Sequence, residues 1–169
     1  MIYLYLYINS NLFSSQAEAE FEWGNPFNQF VGTLANGVEK KLAEASFRWR
    51  KIIEKNPKRG IFEGIRIILH TSPTRAEAFR RLIELGKGSV VVGVAPPYKE
   101  TFGATHCLAE LSKLPRAKID FDSMAAKGIA VVNPVYINEF MISDPPPKVE
   151  PHLIDEYRPF WERRKRNKE

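Results

Sequence analysis

Three kinds of hydrophobic spacing divide this chain. Between Asn28 and Lys55, the residues Phe30, Val31, Leu34, Val38, Leu42, Ala45, Trp49, Ile52 and Ile53 recur at steps of three and four. That spacing predicts one long amphipathic helix. Gly32 and Gly37 weaken its first half, and Asn56-Pro57 ends it, because proline disfavours α geometry in the residue before it. From Gly60 to Pro147, short apolar runs alternate with helical periodicity. Ile65 to His70, Ser89 to Val94, Ala104 to Ala109 and Ile129 to Val132 read as strands. The second and fourth are almost continuous Val and Ile, which predicts a sheet covered on both faces and therefore largely parallel.

The segments between them read as helices. Ser72-Pro73 is a start signal, an N-cap serine with proline at the first helical position. Phe79, Leu82, Ile83 and Leu85 supply that helix's core face, and Gly86 or Gly88 closes it. A short helix from Phe121 to Lys127 precedes the fourth strand, and Val135 to Ile142 forms the last one. The third spacing is plain alternation, Ile-Tyr-Leu-Tyr-Leu-Tyr-Ile within Met1 to Phe13. It suits a strand and is too short to cross a bilayer, which takes about 20 apolar residues. It also lacks the basic start of a signal peptide.

The expected fold class is therefore α/β: a four-stranded parallel sheet flanked by three helices and preceded by a long linker helix. Residues 1–20 are expected to be disordered, a remnant or non-native. Residues 21–60 form a linker with the basic amphipathic helix, 61–150 the domain, and 151–169 a basic C-terminal extension. Pro145-Pro146-Pro147 ends the domain, and Leu153, Ile154, Tyr157, Phe160 and Trp161 are expected to pack back on its surface.

Composition changes this picture little. A net charge of +5 over 169 residues allows acidic partners without choosing among them. The single cysteine, Cys107, excludes an internal disulfide framework. From Glu39 to Arg59 there are eight Lys or Arg against three Glu, so the linker helix has a strongly basic polar face. Arg163-Arg164-Lys165-Arg166 is a short basic run that fits a nuclear import signal.

Catalytic patterns fail one by one. Gly86-Lys87-Gly88-Ser89 follows a helix and precedes a strand, the reverse of a phosphate loop. His106 and Cys107 are adjacent on a strand and point to opposite faces, so they form no dyad. Three scattered histidines (His70, His106, His152) and one cysteine give no metal-ligand spacing. Asp120 and Asp122 open a helix, where capping explains them. The expectation is a non-enzymatic protein with no cofactor and no metal.

Several of these pieces, in this order, resemble the BRCT domain, the phosphoprotein-interaction module of DNA-damage and replication proteins. They are Phe62-Glu63-Gly64 before the first strand, Gly86-Lys87-Gly88 after the first helix, and Ala104-Thr105-His106 opening the third strand. Gly128-Ile129-Ala130-Val131-Val132 and Pro134-Val135-Tyr136-Ile137 complete the set. Tyr136 stands where the family usually has tryptophan. Phe21-Glu22-Trp23-Gly24, Leu42 to Lys51, Ile67 to His70 and Ser143 to Glu150 further resemble the last repeat of a tandem pair, with its linker, in a checkpoint scaffold.

The resemblance implies a division of labour. In such pairs the first repeat holds the phosphate with a Ser or Thr after strand one, a glycine-backed amide and a lysine opening helix two. Here Thr71 or Ser72 would supply the hydroxyl. The lysine position falls near Asp120, whose carboxylate would repel phosphate, with Lys118 and Lys127 out of register. The last repeat instead helps form the groove beyond the phosphate, which singles out Ser72, Arg75, Arg81 and Asn138. Leu42, Trp49 and Ile53 would pack on the preceding repeat, which is expected to be absent from this chain, so self-association or instability is expected. The implied partners are phosphorylated DNA-repair or checkpoint proteins in the nucleus, and no membrane. The alternatives are binding of the DNA backbone by the basic linker helix, and a structural dimerisation domain.

Overall fold

The computed structural model describes residues 37–111 and 119–167. The expectations for residues 1–20, for the helix before Gly37 and for Lys118 lie outside the described residues. Among the described residues the architecture is α/β with a four-stranded, all-parallel sheet and five α-helices. In chain order these are α1 (Gly37–Lys55), β1 (Arg66–His70), α2 (Pro73–Leu85), β2 (Ser89–Val90), β3 (His106–Ala109), α3 (Phe121–Lys127), β4 (Ala130–Val132), α4 (Val135–Ile142) and α5 (Arg158–Arg166). A 3-10 turn at Glu150–His152 precedes α5.

The strand order is β2-β1-β3-β4. Register pairs Ile67 with Val90 on one side of β1, and Ile67 through His70 with His106 through Ala109 on the other. His106, Cys107 and Leu108 in turn pair with Ala130, Val131 and Val132. All of β4 and the last three residues of β3 are buried. Consecutive buried residues mean cover on both faces of β3 and β4, as the apolar run of the fourth strand anticipated; β2, expected to be covered likewise, has Ser89 exposed and Val90 half-buried.

Local chemistry explains most element ends. Asp120 caps α3 by accepting a 3.0 Å hydrogen bond from the Ser123 amide. Gly128 ends α3 at φ 76°, and the Gly128 and Ile129 amides return to the Ala125 and Met124 carbonyls. At the end of α2 the left-handed residue is Lys87, at φ 64°, and neither flanking glycine takes that role. Gly88 is needed for space, since a Cβ there would lie 2.7 Å from Ile83 Cγ2 and 2.8 Å from Phe62 Cβ. Ser72 is the N-cap of α2 as expected, but its side chain makes no capping bond. Leu85, expected in the core face, is exposed, while Phe79, Leu82 and Ile83 are buried. The second strand stops at Val90, short of the expected Val94; Val92 is exposed and Gly93 takes φ 72°.

The C-terminal segment is part of the core. Leu153, Ile154, Tyr157 and Trp161 are buried in the same cluster as the sheet, with Phe160 packed against it. Residues 152–154 run antiparallel along the outer edge of β4: the Asn133 amide donates to the His152 carbonyl and the Ile154 amide to the Val131 carbonyl. Fully buried Tyr157 donates its hydroxyl to the Ile129 carbonyl at 2.6 Å. The expected packing of these side chains thus goes deeper than a surface contact.

Candidate functional site

In open parallel sheets the carboxyl ends of the strands are where ligand sites form. Here the ends of β1 and β3 lie side by side, because His70 pairs with Ala109. The residues that follow them, Thr71 and Glu110, are both buried polar groups. The Thr71 hydroxyl donates to the Ser72 carbonyl at 3.3 Å. Ser72 is half-buried at the start of α2, whose first turn carries no acidic residue.

Arg75 completes the cluster. Its Nη1 donates to Glu110 Oε1 at 2.7 Å, and its guanidinium carbon lies 5.7 Å from the centre of the Phe79 ring. The arginine side chain is 43% exposed and the glutamate 7%. A buried carboxylate with a half-exposed guanidinium is a held fork, with donors to spare on the solvent side. Beneath it, Tyr98 and His70 Nδ1 share a 2.6 Å hydrogen bond. Burial raises the Tyr98 phenol above its ordinary range, so that hydroxyl stays protonated.

The structure brings Thr71, Ser72 and Arg75 together and leaves Arg81 and Asn138 apart from them. Arg81 is exposed later on α2 and ion-pairs with Glu77 at 2.9 Å. Asn138 is half-buried on α4, which packs against α1. Asp120, expected near the family's lysine position, caps its helix. Lys127 donates to the Lys99 carbonyl at 2.6 Å. Glu110 was not singled out from the sequence. Its only signal is a carboxylate directly after a buried strand, and its partner is set by strand register, which spacing does not reveal.

The residues expected at an inter-repeat contact are placed as follows. Trp49 is half-buried and donates Nε1–H to the Met141 carbonyl at 3.1 Å. Arg48 beside it donates to the Ser143 carbonyl at 3.3 Å and lies 3.8 Å from Asp144. Both donate to carbonyls at the end of α4, where helical carbonyls lack intrahelical donors. Ile53 is half-buried, and the Leu42 side chain lies outside the described residues. Trp49 is therefore docked within this chain.

The remaining reactive groups are inert by environment. Cys107 is fully buried and its thiol is pushed up to about 12 by burial, which removes the nucleophilic thiolate at neutral pH. His106 stacks on Tyr136 with ring centres 5.4 Å apart, and shares a 2.8 Å bond with the Thr105 hydroxyl. Burial pulls the His106 imidazole down to about 4. Among the described residues no group of three or more His, Cys, Asp or Glu is placed to hold a metal. Nor is any described helix long and apolar enough to cross a membrane.

The basic run ends α5 and has structural contacts. Arg163 bonds Asp122 at 3.3 Å, Arg164 lies 4.9 Å over the Trp161 ring, and Lys165 bonds Glu150. No family model matches the chain.

Proposed function

We propose that this chain is a non-catalytic protein-interaction module, a BRCT-type repeat acting as the second half of a tandem pair in a nuclear DNA-damage or replication scaffold. The α/β architecture, with its parallel four-stranded sheet, is consistent with such a fold. One observation carries the reading: Arg75, in the first turn of the helix that Thr71 and Ser72 lead into, is half-exposed and has its charge already matched by buried Glu110. The position from which a lysine would reach a phosphate holds Asp120, used as a helix cap. That set suits hydrogen bonding to a polar or acidic peptide segment, and leaves the phosphate itself to an upstream repeat. Phosphorylated repair or checkpoint proteins are the partners this reading supplies.

The test is fluorescence anisotropy with matched phosphorylated and unphosphorylated acidic peptides. The chain is titrated alone and joined through α1 to an upstream repeat. Alone, it is expected to bind both peptides weakly and equally. The joined pair is expected to prefer the phosphorylated form, with Arg75→Gln weakening it by about tenfold, the loss of a charge-assisted bond. A tenfold phosphate preference by the chain alone would overturn the division of labour. Silence from the joined pair would overturn the module.

A further inference from the structure

The basic face of α1 has a feature that peptide recognition at the carboxyl ends of β1 and β3 does not use. On a helix with 3.6 residues per turn, positions 41, 48, 51 and 55 fall within one quadrant, beside the arc that carries Ala45, Trp49 and Ile52. Ala45 is buried and Trp49 is bonded to α4, so the apolar arc is fixed against the domain. The basic quadrant is thereby held at the surface with a set orientation. Lys41, Lys51 and Lys55 are exposed, and Lys58 and Arg59 continue the exposed cations just past the helix end. From Lys41 to Lys55 the strip is about 20 Å long at 1.5 Å per residue. Counting Lys58 and Arg59, six cations stand against three carboxylates: Glu44 lies in the quadrant, Glu54 pairs with Lys51 at 3.5 Å, and Asp144 meets Arg48 at the α4 end.

We infer that this strip is a binding surface for the phosphate backbone of duplex nucleic acid. A straight row of cations about 20 Å long matches a polymer with one charge every 3.4 Å along each strand. A membrane surface fits less well, because a helix bound there buries its apolar face in the lipid, and that face is already occupied by the contact of Trp49 with α4. Recognition would be indifferent to base sequence, since every group on the strip is a charge and none is placed to read base edges.

The test uses the full chain and a labelled 20-base-pair duplex, titrated between 50 and 200 mM salt. Neutralising about four phosphates gives a slope of log affinity against log salt near −4. The variant Lys51→Gln, Lys55→Gln, Lys58→Gln, Arg59→Gln is expected to lose at least tenfold in affinity at the lower salt. A charge-matched variant on other exposed positions, Arg66→Gln, Lys99→Gln, Lys148→Gln, Arg166→Gln, is expected to lose less than threefold. Circular dichroism confirms that each keeps its helices; if the first does not, Lys55→Gln alone is read by its slope, expected to fall by about one. Equal losses from both variants would overturn the proposal and mark the binding as a net-charge effect. Absence of binding at 50 mM salt, or tighter binding to phosphatidylserine vesicles than to the duplex, would overturn it as well.

Discussion

Two side chains show how burial decides behaviour at the residue scale. Tyr157 joins the C-terminal segment to the sheet through a fully buried hydroxyl on the Ile129 carbonyl. Tyr157→Phe leaves that carbonyl without its partner, and is expected to cost about 1–2 kcal/mol in urea unfolding; an unchanged midpoint would refute the bond's contribution. His106 acts through pH. Its folded form is held down to about 4 from an ordinary 6.5, so below 6.5 the unfolded chain takes up the proton first. Stability is therefore expected to fall as pH drops from about 6.5 to 4, by at most roughly 3 kcal/mol. Glu150, whose carboxyl is lowered by its hydrogen bond to Lys165, adds loss in the same direction at the acid end. His106→Leu should flatten the upper part of that slope in denaturant titrations at stepped pH. An identical slope in the variant would assign the effect to other groups.

At the scale of elements, the linker helix is the instructive case. Its periodicity and its stop at Asn56-Pro57 were readable, and the helix runs to Lys55. Where its apolar face docks was not, because a moment gives a direction without naming the partner. The structure seats Trp49 and Arg48 on the last carbonyls of α4. Trp49→Ala should lower amide protection in α1 by roughly 30-fold, equivalent to about 2 kcal/mol for a half-buried aromatic with one hydrogen bond. Protection in β1 and β3 should hold. If α1 exchanges as before, the docking is not what orders it. The short helices Phe121–Lys127 and Val135–Ile142 matched their sequence limits, since Asp120, Gly128 and Pro134 are local stops. The second strand did not, because apolar runs do not reveal where pairing with a neighbour ends.

The whole molecule closes around its C-terminus. Leu153, Ile154, Tyr157 and Trp161 are core residues, and residues 152–154 cover the edge of β4. Truncation after Pro147 removes four buried hydrophobic side chains, each giving roughly 1.5–3 kcal/mol, against a typical total stability of about 5–15 kcal/mol. The truncated chain is expected to lose cooperative thermal unfolding and near-ultraviolet dichroism. A cooperative transition within a few degrees of the parent would show that the segment is dispensable. The exposed edge would also be open to pairing with other chains, which analytical ultracentrifugation would detect as self-association.

The identity of the four strands and of the helices between Gly37 and Ile142, the parallel sheet and the capping role of Asp120 were determined by the sequence, because each follows from hydrophobic spacing and from short-range backbone chemistry. The candidate site was legible in part: Thr71, Ser72 and Arg75 were singled out through the family resemblance, whereas Glu110 joins them only through the register of β1 and β3. The seat of Trp49 on α4, the strap over β4 and the structural use of Arg163, Arg164 and Lys165 were likewise decided by the tertiary structure. All of these are contacts between residues far apart in the chain. Spacing carries no record of which distant surface will meet which; only the closing of the core selects the pairs.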